Sequence, residues 1–106
     1  MRRFQPADLS NRLRQPGPAP LLLDVREPWE YDICHIEGSR LVPMGQLPAA
    51  VDELEKDVEI VVICHHGIRS RYACQYLASL GFADLINLEG GVEAWATQID
   101  PAMPRY

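Results

Sequence analysis

The feature that most constrains this chain is the stretch "IVVIC" at residues 60–64, which runs directly into "HHGIRS" and then into a helical pattern. Consecutive apolar, mostly β-branched residues are typical of a strand that is covered on both faces. The pattern that follows repeats at the spacing of one helical face through Ala73, Cys74, Leu77, Ala78 and Gly81. A buried strand that leads straight into a helix indicates a βα unit and therefore a parallel sheet.

Short apolar runs alternate with helical patterns along the rest of the chain. Strands are predicted at "LLLDVR" (21–26), "RLVP" (40–43), "VEIVVIC" (58–64), which is the clearest of them, and "ADLINL" (83–88). Helices are predicted at "FQPADLSNRL" (4–13), at "GQLPAAVDELEKD" (45–57), where Pro48 confines the helix to residues after 47, and at "EGGVEAWATQI" (89–99). This alternation favours the α/β class, with one domain over residues 1–106 because no repeat or internal boundary is visible.

The overall charge and the cysteine count argue against several classes of protein. A net charge of −5 disfavours nucleic acid as the main partner, because phosphate binding needs a basic surface. No apolar run approaches the length that spans a bilayer, so no membrane partner is expected. Three cysteines, an odd number, disfavour a disulfide scaffold and favour a reducing compartment, and we expect a cytoplasmic protein.

The distribution of charge is more informative than its sum. Residues 52–59 are strongly acidic, whereas residues 64–83 contain no acid and carry their charge on Arg69 and Arg71. An acid-free basic segment in an acidic protein favours a site for a small anion. The alternative is that the two arginines only solvate the end of a helix.

Cys64 lies at the carboxyl end of the predicted buried strand, where ligands collect in parallel sheets. Backbone N–H groups of residues 65–69 could surround its sulfur, and the helix dipole and Arg69 would favour the thiolate. The same donors could bind an oxyanion, and Gly67 permits a tight loop because it has no Cβ. The alternative is a buried structural cysteine at the end of a strand.

Three segments occur in a recognisable order: "LLLDVREPWEYDICHIEGSRLVP" (21–43), "CHHGIRS" (64–70) and "LGFADLINLEGGVEAW" (80–95). In these segments the chain resembles the rhodanese-like domain family of small single-domain sulfurtransferases. The resemblance implies an α/β three-layer sandwich, in which helices cover both faces of a five-stranded, mainly parallel sheet. One position departs from the family: Cys34 stands where Gly usually precedes His-Ile, so strain or a different turn is expected there.

The resemblance also implies sulfur chemistry at Cys64 without a cofactor. Cys64 would accept a sulfane sulfur from a small anionic donor such as thiosulfate. The resulting persulfide would pass its outer sulfur to a thiophilic acceptor, which is cyanide, a thiol or a protein. Contacts to the substrate are expected from the loop residues His65, His66, Gly67, Ile68 and Arg69. The two histidines could act through their side chains or only through their backbone N–H groups.

Two other functions stay open at this point. The chain could be a persulfide carrier, a sensor or a protein-interaction module that turns over small donors poorly. Arsenate or phosphate chemistry is the weaker alternative, because Cys64 to Arg69 forms a C-x4-R loop, whereas related phosphatases and some arsenate reductases use the wider C-x5-R.

The remaining candidate residues have simpler interpretations. Cys34 and His35 carry zinc-ligand side chains, as do Cys64 and its two neighbouring histidines, but Cys34 precedes a strand and Cys64 follows one. The two groups should therefore lie at opposite edges of the sheet, so neither a metal site nor a Cys34–Cys64 disulfide is expected. Cys74 is predicted to be a core residue. Asp24 and Arg26 could shape the floor of a pocket, but a structural ion pair with Glu27, Glu30 or another acid is favoured.

Overall fold

The computed structural model describes residues 1–106 and contains one sheet of five parallel strands. The strands are β1 (Arg2–Phe4), β2 (Leu21–Asp24), β3 (Arg40–Leu41), β4 (Ile60–Ile63) and β5 (Leu85–Leu88). They lie side by side in the order β1-β5-β4-β2-β3, so β4 is the middle strand. The predicted α/β class and parallel sheet are confirmed.

Four helices lie between consecutive strands, and a fifth follows the last strand. They are α1 (Pro6–Leu13), α2 (Pro28–Ile33), α3 (Leu47–Ala50), α4 (Ile68–Ser79) and α5 (Gly91–Gln98). The predicted helix near Pro48 does start at Leu47, but its α-helical part ends at Ala50, and short 3₁₀ turns flank it on both sides. Proline occupies the first turn of α1, α2 and α3, where its missing N–H costs nothing.

Strand β1 carries no signal in the sequence. Its residues read "RRF", and Arg2 and Arg3 are exposed, so neither an apolar run nor a clear alternation marks the strand. The strand forms because its backbone pairs in parallel with β5, from Arg2 opposite Ile86 to Phe4 opposite Leu88. Tertiary pairing therefore supplies the fifth strand.

The alternation of side chains along β4 builds a core on each face of the sheet. Ile60 and Val62 point into a cluster with Ala73 and Leu77 of α4. Their neighbours on β4 point into a second cluster, whose other members include Leu9 of α1 and Trp95 of α5. All four residues of β4 are fully buried. The expected three layers are confirmed, and Cys64 directly follows the most protected strand.

The buried face of α4 differs in part from its prediction. Ala73, Cys74 and Leu77 are buried, but Ala78 and Gly81 are exposed, and Ser70 is buried instead. The face extends back toward the start of the helix because Ser70 lies one turn before Ala73 and Cys74. At its other end the helix stops at Ser79, and the buried ring of Phe82 beyond it belongs to the same core cluster.

Arg26 is a fully buried cation that ties three segments together at the carboxyl edge of the sheet. Its Nη2 is 2.7 Å from Asp24 Oδ2, and both side chains have no exposed surface. The same guanidinium donates to the carbonyl of Cys34 at 2.7 Å and to the hydroxyl of Tyr106 at 2.9 Å. A structural ion pair is present, but the acid that binds Arg26 is Asp24 rather than Glu27 or Glu30.

Glu30 continues this network toward the loop after Cys64. Its carboxylate accepts two hydrogen bonds from Arg69, at 2.7 and 2.8 Å, and a third from the hydroxyl of Tyr106 at 2.8 Å. The hydrogen bonds from Arg69 lower the pKa of Glu30 to about 2, although burial of the carboxyl opposes this shift. A cluster of paired charges thus joins α2, α4 and the last residue.

Replacing Asp24 by alanine should destabilise the protein strongly, because Arg26 would remain buried without its anion. We expect a loss of about 3–5 kcal/mol in the free energy of unfolding, measured by urea denaturation. Glu53→Ala is the matched control, since it breaks the exposed Arg40–Glu53 pair and should cost about 0–1 kcal/mol. Equal losses in the two variants would contradict the assigned role of the buried pair.

Glu30 should make the protein sensitive to acid. Because its pKa falls from 4.5 to about 2 on folding, its contribution to stability is complete above pH 4.5 and is lost as the pH falls toward 2. Glu30→Gln should lack this dependence. The difference in the free energy of unfolding between wild type and Glu30→Gln should therefore shrink by about 2 kcal/mol over this pH range. This figure allows for solvent screening of the ion pair, because Arg69 is partly exposed.

Urea denaturation at a series of pH values measures this difference. Glu55→Gln is the control, since Glu55 is exposed and has no hydrogen-bonding partner in the chain. If wild type and Glu30→Gln lose stability in parallel as the pH falls, the link between Glu30 and acid sensitivity is wrong.

Candidate active site

Cys64 follows the middle strand directly, and only 1% of its surface is exposed. The backbone N–H of Gly67 donates to Cys64 Sγ at 3.1 Å, which closes the loop around the sulfur. Gly67 caps α4 with a φ of +93°, a conformation that other residues rarely adopt. A Cβ at this position would also lie 3.0 Å from the backbone nitrogen of Gly90. The loop needs glycine at residue 67 for both reasons.

The first turn of α5 sets the direction of the peptide groups in this loop. The carbonyls of Cys64 and His65 accept hydrogen bonds from the backbone N–H groups of Val92, at 3.0 Å, and Glu93, at 3.1 Å. A trans peptide places its C=O and N–H on opposite sides. The N–H groups of His65 and His66 therefore point away from α5.

The resulting loop presents several unpaired donors beside the sulfur. The backbone N–H groups of His65, His66, Ile68 and Arg69 have no acceptor in the chain. Two of them belong to the first turn of α4, where the helix dipole adds partial positive charge. A loop of this kind can accept an anion, and it favours negative charge at the sulfur.

His65 lies in the middle of an aromatic stack. Its ring packs on His66 and on Tyr106, with centroid distances of 3.9 Å in both cases. Burial lowers the pKa of His65, and the neighbouring His66 lowers it further, so both effects favour the neutral imidazole. Its Nε2 is buried without a hydrogen-bonding partner. His66 and Ile68, in contrast, are exposed.

Arg69 is directed toward Glu30 in this structure. The sequence predicts that Arg69 contacts an anion, with solvation of the helix end as the alternative. The two hydrogen bonds to Glu30 are a bracing contact, and they raise the pKa of the guanidinium. About 39% of the Arg69 side chain is exposed, so part of its surface is accessible to a ligand. Contact with the substrate stays a prediction.

Several residues around Cys64 were not identified from the sequence. Glu30 braces Arg69, and Tyr106 donates to Glu30 and stacks on His65, but nothing in the surrounding sequence indicates these contacts. Gly91 lies against the loop, and a Cβ there would be 2.4 Å from the carbonyl oxygens of Cys64 and His65. Asn87 did offer a signal, because a polar residue inside the buried run "LINL" needs a partner.

The other two cysteines lie apart from this loop. Cys34 packs in the cluster on the α1–α5 face, whereas Cys64 packs on the face covered by α4. The φ of Cys34 is −163°, an extended conformation open to any residue, so it replaces the family's glycine without strain. Cys74 is fully buried, as predicted, and burial raises its pKa to about 12. All three thiols are free.

Other kinds of site receive no support from the geometry. No three His, Cys, Asp or Glu side chains are grouped as they would be around a metal ion. None of the helices has the length and apolar character to cross a bilayer.

Comparison with curated proteins gives relatives of this chain. It is 39% identical over 87 residues to the probable adenylyltransferase/sulfurtransferase MoeZ of Mycobacterium tuberculosis. That match covers 80% of this chain but 22% of MoeZ, so the chain spans about a fifth of that relative. The chain is also 36% identical to the thiosulfate sulfurtransferase GlpE of Pseudomonas fluorescens, over 87% of this chain and 83% of GlpE.

The fold and the sequence profile agree with these relatives. A crystal structure of a rhodanese-like domain protein from Staphylococcus aureus superposes with a TM-score of 0.84 at 30% identity, covering 90% of this chain and 91% of that one. The profile of the Rhodanese-like domain matches residues 5–98. The chain therefore belongs to the rhodanese-like domain family.

Proposed function

We propose that this protein is a sulfurtransferase that carries sulfane sulfur as a persulfide on Cys64. The observation that carries the proposal is the loop around the Cys64 sulfur, where one N–H donates to Sγ and four more have no partner. These donors favour a thiolate nucleophile and can stabilise the anions that enter and leave. No group other than the chain's own residues is needed.

The comparisons support this proposal. The relative from Pseudomonas fluorescens is named a thiosulfate sulfurtransferase, and it matches this chain over most of both lengths. MoeZ is named an adenylyltransferase/sulfurtransferase, of which this chain matches a part. These names favour sulfur transfer over phosphate or arsenate chemistry, and the short C-x4-R loop favours it as well.

The first half of the proposed reaction loads the enzyme. The thiolate of Cys64 attacks the outer sulfur of a donor such as thiosulfate, and a new S–S bond forms. The bond between the two sulfur atoms of the donor breaks, and sulfite leaves with the electron pair. The loop N–H groups of His65, His66, Ile68 and Arg69 lie where they can stabilise the persulfide anion.

The second half regenerates the thiolate. An acceptor nucleophile, such as cyanide or a thiol, attacks the outer sulfur of the persulfide, and the S–S bond to Cys64 breaks. The exposed surface of Arg69 and the half-buried ring of His65 lie next to the loop, where they can contact the incoming anions. Glu30 limits this role of Arg69, because it already binds the guanidinium through two hydrogen bonds.

The proposed partners are a small anionic sulfur donor and a thiophilic acceptor, which can be a protein. A persulfide and three free thiols are compatible with a reducing compartment, and we propose the cytoplasm. Residues 1–106 are proposed to act as one domain, since a single sheet joins both ends of the chain.

A persulfide carrier that delivers sulfur to a protein is the second candidate. The observation that favours it is the exposure of large apolar side chains: the most exposed are Tyr72 at 62%, Trp29 at 60% and Ile68 at 60%. Ile68 belongs to the loop and Tyr72 lies one turn later on α4. Rapid turnover with thiosulfate and cyanide would favour the enzyme, and slow turnover with stable loading would favour the carrier.

Sulfur loading can be tested directly by intact-protein mass spectrometry. After incubation with thiosulfate, the wild type should gain the mass of one sulfur atom, and cyanide should remove it. Cys64→Ser should show no gain, while Cys74→Ser should load like the wild type because Cys74 is buried in the core. A gain that persists in Cys64→Ser would contradict the proposed nucleophile.

Gly91→Ala should reduce sulfur loading by at least tenfold per folded molecule. The added Cβ would meet the carbonyl oxygens of Cys64 and His65, so it would push the loop out of position. Gly45→Ala is the matched control, because Gly45 has open space around the position of a Cβ. Folding is checked by circular dichroism. Wild-type loading by folded Gly91→Ala would show that the loop tolerates this displacement.

A further inference from the structure

A chain of buried hydrogen bonds lies behind the sulfur of Cys64. Cys64 Sγ is 3.4 Å from Ser70 Oγ, and Ser70 Oγ is hydrogen-bonded to Oδ1 of Asn87. Asn87 Nδ2 donates to the carbonyl of Gly67 at 3.1 Å and to the carboxylate of Glu89. Ser70 and Asn87 have no exposed surface. The proposed sulfur-transfer reaction assigns no role to this chain of contacts.

The number of available protons determines the direction of each bond. Both partners of Asn87 Nδ2 are acceptors, so the amide orientation is set and Oδ1 must face Ser70. Oδ1 has no proton, and the hydroxyl of Ser70 has only one, so Ser70 donates to Asn87. Ser70 therefore turns a lone pair toward Cys64 Sγ. Only the protonated thiol, as an S–H donor, matches this arrangement.

The same arrangement does not suit the thiolate. When the S–H bond gives up its proton to water, a lone pair of Ser70 would face an anionic sulfur. Rotation about the C–O bond of Ser70 can turn the hydroxyl proton from Asn87 to the sulfur, with no other bond made or broken. Oδ1 of Asn87 then loses its donor in a buried position, which is unfavourable. The hydroxyl can satisfy Asn87 or the thiolate, but not both.

We propose that Ser70 and Asn87 form a hydroxyl switch that opposes the loop N–H groups by stabilising the thiol of Cys64 at rest, and that donates to the sulfur once it is ionised. Ser70 contacts the reacting atom itself, whereas Asn87 is a positioning residue that acts through Ser70. The significance of the switch for sulfur transfer rests on the proposed function. The switch itself concerns only the protonation of Cys64, so the switch and the proposed function can be refuted separately.

Other charged and titratable groups around Cys64 must be kept constant in any test. They lie on the loop, on α4, on α2 and in the connection between β5 and α5, and they are His65, His66, Arg69, Cys74, Glu30 and Glu89. A comparison of variants at residues 70 and 87 retains every one of them. Their influence on Cys64 should therefore be largely the same in each protein compared.

The test is the pH profile of Cys64 alkylation by iodoacetamide, without any sulfur donor. Asn87→Leu removes the acceptor that competes for the hydroxyl of Ser70. It should lower the midpoint of the profile by about one pH unit. In a Ser70→Ala background the same Asn87→Leu change should leave the midpoint unmoved, because no hydroxyl remains to be released. This dependence on Ser70 separates a switch from general damage to the loop.

Background reaction is measured with Cys64→Ser, and Cys74, with its pKa near 12, remains protonated over the useful range. An unchanged midpoint in Asn87→Leu would overturn the proposal, as would an equal shift with and without Ser70. If Asn87→Leu does not fold, Asn87→Val removes the acceptor with a side chain suited to a strand.

A second measurement needs no change at Asn87. The S–H stretching band of Cys64, assigned by difference from Cys64→Ser, should lie at lower frequency in the wild type than in Ser70→Ala, because Ser70 accepts from the thiol. Identical bands would overturn the assigned direction of the bond. Loss of sulfur loading with both results intact would refute the proposed function alone.

Discussion

The chemistry at Cys64 depends on how closely the first turn of α5 approaches the loop that follows β4. Two backbone hydrogen bonds, from Val92 and Glu93, hold the carbonyls of Cys64 and His65 on the side away from the proposed substrate. This contact is possible because Gly91 has no side chain to separate the two backbones. The loop N–H groups are therefore oriented before any ligand arrives, and no reorganisation is required at the moment of reaction.

The charges around the loop are arranged to brace it more than to attract ligands. Arg26 is neutralised by Asp24, and Arg69 is neutralised in large part by Glu30. Buried charges of this kind contribute little net stability, but removing one partner leaves the other uncompensated. The network therefore holds α2 and α4 together, and the unpaired backbone N–H groups of the loop add partial positive charge near the sulfur.

Much of this structure could be predicted from the sequence, because the relevant signals are local. The buried run that ends at Cys64, the helical spacing of Ala73, Cys74 and Leu77, and the glycine at residue 67 each follow from the chemistry of a short segment. Strand β1 was missed because its formation depends on pairing with β5, which is distant in the sequence. The exposure of Ala78 was also missed, since Phe82 determines where the buried face ends.

By itself, the sequence determined the α/β class, the position of the proposed nucleophile and the length of its loop, because periodicity and residue type encode them directly. Only the tertiary structure decided which groups surround that nucleophile. Glu30, Asn87, Gly91 and Tyr106 come from three separate parts of the chain, and their contacts arise when parallel strands bring distant loops to one edge of the sheet. Hydrogen-bond direction and charge pairing are properties of that assembled edge, so no single segment could reveal them.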